Sequence, residues 1–379
     1  MRVLQVIGAM DRGGAETVIM NLYRAMDREH VQFDFLVQTD RECDYDREIH
    51  ELGGRIFRVP TYDVINGAAY RKAVRAHFAA HPEHRVVHGH IGSSAHIYLD
   101  EAKRVGCATV LHSHAQNFEP FLQRQVFHAL VKPSLKFADE YLACSPEAGF
   151  DRFGEDIVTG SHYHIMANGV NTRLYTCTQE EHIQAKQALG LDGYTVLGHV
   201  GRFIEVKNHH FLLQMFKEFL HMVPESKLLL LGRGPLEDSM KSYASELGIS
   251  ESVVFCGVRD DVPNYLKAMD VFVFPSVLEG LPMATVEAQA SGARCLLSTG
   301  VPKSAKAAEA TKRIKLSEGP QAWAQAAVAA LEHGEDSQRE NAAAEVKAAG
   351  YDIHDTALWL TDLYRRLEGA SRQPEGAQQ

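Results

Sequence analysis

Short apolar runs alternate with amphipathic stretches along almost all of this 379-residue chain, and part-way along the alternation stops and begins again. No other feature limits the fold so strongly. Strands that are each followed by a helix return in the same direction, which gives a parallel sheet covered on both faces. In the first set the expected strands are Val3–Ile7, Phe33–Val37, Ile56–Val59, Val86–His88, Thr109–His112 and Glu140–Ala143. Ala15–Met26 reads as the first helix, with Val18, Ile19, Leu22 and Met26 on one face. The second set is Thr195–Val200, Lys227–Leu231, Val253–Phe255, Val271–Phe274 and Arg294–Leu297. Between the sets lies MANGVNTRLYTCTQEE, with the turn pair Asn168-Gly169 and few long apolar side chains, so the boundary is expected near residues 172–190. Two doubly wound α/β domains imply a cleft between them, with ligands at the carboxyl ends of the strands. Tyr351–Leu367 reads as a terminal helix, with Leu358, Leu360, Leu363, Tyr364 and Leu367 apolar, and residues 369–379 read as disordered.

Composition narrows the function classes. With 45% apolar and 23% charged residues the chain has the make-up of a soluble globular protein. Its net charge of -10 argues against a nucleic-acid partner. The six cysteines, at 43, 107, 144, 177, 256 and 295, form no CxxC and mostly sit in apolar runs. They read as reduced core thiols, not a disulfide framework or zinc site. No stretch approaches the roughly 18–20 apolar residues of a membrane span, and the opening MRVLQVIGAM is too short for a signal peptide. The expected location is the cytoplasm, with any membrane work done from the surface.

Three loops carry candidate chemistry. Gly8-Ala9-Met10-Asp11-Arg12-Gly13-Gly14-Ala15-Glu16 joins a strand to a helix, and its glycines let backbone N–H groups approach an anion. It is neither a Walker A loop nor a GxGxxG loop, and a plain tight turn explains it equally well. Gly201-Arg202-Phe203-Ile204-Glu205-Val206-Lys207-Asn208 puts two cations at the carboxyl end of the second domain's first strand, where a diphosphate leaving group needs positive charge. Alone, such a pair is more often solvated. The strongest signal is Glu279-Gly280-Leu281-Pro282-Met283-Ala284-Thr285-Val286-Glu287. Pro282 suits a first helical position, which leaves Glu279 in the loop and Glu287 inside the helix. Eight helical residues span about 12 Å. That scale suits a ribose on one carboxylate and a sugar on the other, with the diphosphate facing the helix start.

In their order these motifs resemble the family-4 retaining glycosyltransferases, with their E-x7-E signature and GT-B fold, and more closely the bacterial exopolysaccharide and capsule branch. The resemblance runs through GGAE (Gly13–Glu16), VLHSHAQN (Val110–Asn117), ACSPEAG (Ala143–Gly149), NGV (Asn168–Val170), LLGRGP (Leu230–Pro235), CGVRDDV (Cys256–Val262) and FPSVLEGLPMATVEA (Phe274–Ala288). It implies two Rossmann-like domains with parallel sheets facing a deep interdomain cleft. Residues 1–178 would form an acceptor-side domain joined by a crossover helix and tail at 353–379, and 179–352 a nucleotide-sugar domain. It also implies roles. His114 lies near the donor sugar, Arg202 and Lys207 neutralise the diphosphate, and Glu279 meets the sugar hydroxyls. Gly13 and Gly14 belong to the phosphate-facing loop, Gly280, Leu281 and Pro282 lie near the phosphate, and Glu287 binds the ribose. Gly234 lies in the nucleotide-side loop and Val258 reads the base by its backbone. Lys303 stands where the family pattern has an acidic residue, and no role is assigned there. The implied reaction is front-face transfer with retention, in which the leaving phosphate helps take the acceptor's proton. No cofactor and no metal are required. The partners are a nucleotide-sugar donor, more readily UDP- than GDP-linked, and a glycan or polyprenyl-linked acceptor. A sugar-nucleotide epimerase and a non-catalytic sugar-nucleotide sensor are the alternatives, and the missing GxGxxG disfavours a dehydrogenase.

Other signals tempt. HxH occurs at His88–His90, His112–His114 and His162–His164, but a metal hydrolase of that kind needs a single barrel and not two sheets. Asp44-Tyr45-Asp46 is a DxD, read here as a solvated helix start. Arg124, His128, Lys132 and Lys136 recur every four residues, which suggests a basic row on a helix facing an anionic membrane surface or an acceptor phosphate.

Overall fold

The computed structural model describes residues 1–114, 128–332 and 336–371, the side chains of 336–338 excepted. The chain divides into Met1–Gly169 with Ile353–Gln379, and Val170–Asp352. The division thus falls after Gly169 and not after residue 178. Val170 and Asp352 form a parallel bridge, Val170 N–H donates to the Tyr351 carbonyl at 2.8 Å, and the Thr172 hydroxyl donates to the Asp352 carboxylate. Those bonds tie the two ends of the second unit to each other.

The first unit holds a seven-stranded sheet of β1 (Arg2–Ile7), β2 (Gln32–Val37), β3 (Ile56–Arg58), β4 (His84–Gly89), β5 (Ala108–Ser113), β6 (Glu140–Ala143) and β7 (Tyr163–Ile165). Its order is β3-β2-β1-β4-β5-β6-β7, and every pairing is parallel. Leu4, Val6, Leu36, Val87 and Leu111 pack under Tyr70, Val74 and Tyr98. The terminal helix Ile353–Ala370 belongs to this unit and buries Leu360, Leu363, Tyr364 and Leu367. Leu358, also apolar, is 67% exposed, and Gly369 and Ala370 continue the helix into the stretch expected to be disordered.

The second unit holds β8 (Thr195–Val200), β9 (Ser226–Leu231), β10 (Val253–Gly257), β11 (Val271–Phe274), β12 (Arg294–Ser298) and β13 (Thr311–Ile314), in the order β10-β9-β8-β11-β12-β13 and again all parallel. Helix His209–Met222 buries Leu212, Leu213, Met215, Phe216 and Phe219 against this sheet and against Trp323 of helix Gly319–Glu332. Each such side chain is worth about 1.5–3 kcal/mol of transfer free energy. The sequence reading missed β7 and β13. Both are short edge strands, and Lys312 and Arg313 in β13 blunt the edge and hide it from a search for apolar runs.

Each strand order reverses once, between β1 and β4 in the first sheet and between β8 and β11 in the second. At such a reversal the connections leave in opposite directions, and a crevice opens at the carboxyl ends. Among the described residues no helix is long and apolar enough to cross a membrane.

The loops after β8, β9 and β10 are packed backbone to backbone. Gly232 sits at φ +131°, its N–H donates to the Gly257 carbonyl at 2.8 Å, and a Cβ there would lie 2.1 Å from the Gly201 carbonyl oxygen. Gly190, at φ +67° after helix Gln179–Ala188, has open space around the same position. Gly232→Ala is therefore expected to destabilise by more than about 2 kcal/mol, combining backbone strain with a clash. Gly190→Ala should lose only about 1 kcal/mol. Urea unfolding midpoints of the two variants, at matched m values, check the difference.

Candidate active site

At the β8/β11 reversal two loops are fastened together. After β8 the chain makes a short turn, Glu205–Lys207, closed by Asn208 in the left-handed region at φ 57°. The Asn208 side-chain amide donates to the Pro275 carbonyl at 3.3 Å, and Val277 N–H donates to the Val206 carbonyl at 2.8 Å. The third fastening is ionic. Lys207 Nζ lies 2.6 Å from Glu279 Oε1 and 4.7 Å from the centre of the Phe274 ring. The two side chains are only 17% and 13% exposed. Arg202 stands exposed in the loop between β8 and that turn, with no side-chain hydrogen bond or ion pair among the described residues. One cation is held by a carboxylate and an aromatic face, and the other is left open to an anion.

Beyond Glu279 comes Gly280, around which a Cβ would meet nothing, then buried Leu281. Pro282 is the cap at ψ 114°, and the helix begins one residue later than expected, running Met283–Ala290. The amides at the start of a helix lack intrahelical acceptors and attract anions. Glu287 lies inside this helix, half-buried, with Tyr175 beside its carboxyl group. Burial raises the Glu287 pKa, and the Tyr175 hydroxyl works against that shift. Burial next to this carboxylate also pushes the Tyr175 hydroxyl far above its usual value. No local pattern marks Tyr175, because its partner lies in another helix far along the chain. Asn208 left a weak signal, since asparagine is favoured as a left-handed cap.

In the first unit, Gly13 caps helix Gly14–Ala25, and Gly14 opens it with no neighbour where a Cβ would stand. No packing among the described residues explains glycine at 14, whereas close approach of a ligand to the backbone would. The ends of β4 and β5, beside β1, bring two HxH pairs into one cluster. His90 Nδ1 lies 2.7 Å from His114 Nε2, and His90 Nε2 lies 2.8 Å from Gln5 Oε1. His88 and His112 stack at 5.3 Å. Burial lowers the pKa of His88 and of His114 to about 3, with the Arg152 charge adding to the effect at His114. These rings are neutral at ordinary pH.

Residues 181–347 match the model of glycosyl transferases group 1, and residues 13–154 match that of a glycosyl transferase 4-like domain. EpsF of Bacillus subtilis (strain 168), a glycosyltransferase by name, is 34% identical over 372 residues, covering 96% of each chain. The chain belongs to the family-4 glycosyltransferases. Its fold is GT-B. HepE from Anabaena, solved in complex with UDP, superposes with a TM-score of 0.79 at 16% identity over 97% of this chain and all of that one. Sucrose-phosphate synthase from Thermosynechococcus elongatus superposes at 0.73, with 19% identity over 98% of this chain and 100% of its own.

Within this glycosyltransferase the expected site residues separate into groups. Arg202, Lys207, Glu279, Gly280, Leu281, Pro282 and Glu287 share the β8/β11 end of the second unit. Gly234 has a structural cause as well, because a Cβ there would lie 2.5 Å from the Phe203 carbonyl oxygen. Val258 follows Gly257 at the end of β10 and is 59% exposed. Arg233, unremarked in the sequence, stands exposed beside Gly257. Gly13, Gly14 and His114 lie in the first unit. Two readings need correction. Asp46 is not a solvated helix start, being 4% exposed and ion-paired with Arg58 at 2.7 Å. The basic row is not a helical stripe either. Lys132–Phe137 is a 3-10 helix with Pro133 in its first turn, so residues four apart do not stack, although Lys132 and Lys136 remain exposed. Arg124 lies outside the described residues.

A carboxylate whose pKa is raised on folding favours the protonated folded state, so it lowers stability as pH climbs from the unfolded value through the folded one. Glu287→Gln is therefore expected to be more stable than wild type at pH 8, with the gap closing near pH 4, while nucleotide binding is lost. Denaturant midpoints at the two pH values, with a nucleotide titration at pH 8, check both halves.

Proposed function

We propose that the protein is a retaining, metal-independent hexosyltransferase that moves a sugar from a UDP-linked donor to a glycan or polyprenyl-linked acceptor in the making of a surface polysaccharide. The observation that carries the reading is the fastening of Lys207 to Glu279 beside the open Arg202 at the β8/β11 reversal. Two cations on rigid turns can take over the charge of a diphosphate as the glycosidic bond breaks. Preorganised charge of this kind usually contributes more to catalysis than any other single effect. A divalent ion at the diphosphate is then unnecessary. Glu279, already a partner of Lys207, stands next to the departing phosphates and suits hydroxyls of the transferred sugar. Glu287, backed by Tyr175, suits a ribose diol, because an ionised carboxylate accepts from both hydroxyls. The open Gly280 and the Met283–Ala290 helix start suit the phosphates, with Gly234 and Val258 on the nucleotide side. In the first unit Gly13 and Gly14 suit an anion, and His114 suits a sugar hydroxyl.

Retention follows if the leaving phosphate itself receives the acceptor's proton on the face it leaves. Among the relatives, an Escherichia coli enzyme named UDP-Gal:alpha-D-GlcNAc-diphosphoundecaprenol alpha-1,3-galactosyltransferase is 32% identical over 35% of this chain. The Vi polysaccharide biosynthesis protein VipC/TviE of Salmonella typhi is 35% identical over 35%. The first supports a UDP-linked donor and a lipid-linked acceptor, and the second a polysaccharide product. The exposed Lys132 and Lys136 are retained as the candidate contact with an anionic membrane surface on the cytoplasmic side.

The test is turnover of UDP- and GDP-sugars with a lipid-linked acceptor, in EDTA, with the anomeric configuration of the product read by NMR. The expected outcome is UDP-dependent, EDTA-insensitive transfer with retention, cut about 10²–10³-fold in Lys207→Ala and Arg202→Ala while both variants stay folded. Near-wild-type turnover in both variants would remove the diphosphate site.

A further inference from the structure

The histidine cluster of the first unit contains an ordered chain of hydrogen bonds that the reaction as proposed does not use. Gln5 lies on β1, fully buried, next to β4. Its Oε1 is 2.8 Å from His90 Nε2, and its Nε2 is 3.4 Å from the Tyr364 hydroxyl of the terminal helix. An amide oxygen only accepts, so His90 carries its proton on Nε2. A neutral imidazole has one proton, so His90 Nδ1 is left as an acceptor. That nitrogen is 2.7 Å from His114 Nε2, which must donate to it. His114 then has its lone pair on Nδ1, and Nδ1 is buried with no hydrogen-bond partner among the described residues.

We infer that Gln5 and His90 are positioning residues that hold His114 as its Nε2–H tautomer, so that Nδ1 is presented as a hydrogen-bond acceptor to a sugar hydroxyl. This rests on the reading of His114 as a sugar contact, and it adds which nitrogen makes the contact and what sets it. A hydroxyl is the ligand chemistry that fits, since it donates to Nδ1 and keeps its own lone pairs for other partners. The low proton affinity of the buried ring agrees with a neutral acceptor. His88, His90 and His112 also approach one another closely enough to suggest a cation site. Both nitrogens of His90 are already committed, however, and an ion there would have to break the chain. On the other branch, Tyr364 accepts from the Gln5 amide and donates to His88 Nδ1 at 2.6 Å, which fixes the terminal helix to the same network. A flipped Gln5 amide would reverse every proton in the chain, and the tautomer of His114 distinguishes the two arrangements.

The experiment is a long-range proton–nitrogen correlation spectrum of the full-length protein labelled with ¹⁵N-histidine, with kinetics on two Gln5 variants. In wild type the His114 signals should show a protonated Nε2 and an unprotonated Nδ1. Gln5→Glu keeps an acceptor facing His90 and should preserve that pattern and at least a third of wild-type kcat. Gln5→Leu removes it, and should mix the tautomers and lower kcat tenfold or more with donor KM changed less than threefold. A proton on His114 Nδ1 in wild type overturns the inference even if a variant fails to fold. So does a Gln5→Leu protein with an unchanged pattern and unchanged kcat. The spectrum does not depend on turnover, so loss of the function reading alone would appear as the expected tautomer in a protein that transfers no sugar.

Discussion

Lys207 and Glu279 stand 72 residues apart in sequence and meet because β8 and β11 are neighbours where the strand order reverses. Each is mostly shielded from solvent, so their attraction is opposed by the cost of desolvating both charges. An enclosed pair of this kind is often no more stabilising than apolar replacements of similar size, and stability alone is a weak reason to keep one. A site that must receive an anion supplies a better reason. The carboxylate keeps the ammonium in place while the site is empty, and the Phe274 ring under Nζ limits where it can move. Asn208 and the Val206–Val277 bond then keep the two loops in register, so the cation does not have to be ordered at the moment of reaction.

The same construction recurs in the first unit with different chemistry. There the reversal lies between β1 and β4, and the residues facing each other across it are Gln5 and His90. Neutral groups meet there in place of charges, and burial disfavours the charged form of His90. The glycines sort by cause in a similar way. Gly232 and Gly234 are required by backbone packed against backbone, whereas Gly14 and Gly280 stand at or just before helix starts with free space around them. Only the second kind points to a ligand.

Much of this was legible in sequence because the strongest signals are local. Strand–helix alternation marked both sheets except the edge strands β7 and β13, and Glu279 lies in the loop and Glu287 in the helix as the sequence suggests. What could not be read depends on which strands become neighbours. Tyr175 belongs with Glu287 through packing between two helices, and Gln5 belongs with His90 through a parallel pairing 85 residues apart. The histidine pairs suggest a metal site in sequence, and nothing in HxH says that Gln5 of β1 joins them in a hydrogen-bond chain. The basic row failed for a local reason, because its four-residue spacing presumed an α-helix that Pro133 converts to a tighter turn. Asp46 was misread because its partner Arg58 comes from the next strand.

The central claim is that Lys207 is a diphosphate ligand held ready by Glu279. Calorimetric affinities of UDP and of uridine for wild type and for Lys207→Met test it most directly. The account predicts that the substitution removes most of the affinity UDP has over uridine and leaves uridine binding within about twofold. Equal loss for both ligands, or no loss for UDP, would contradict it.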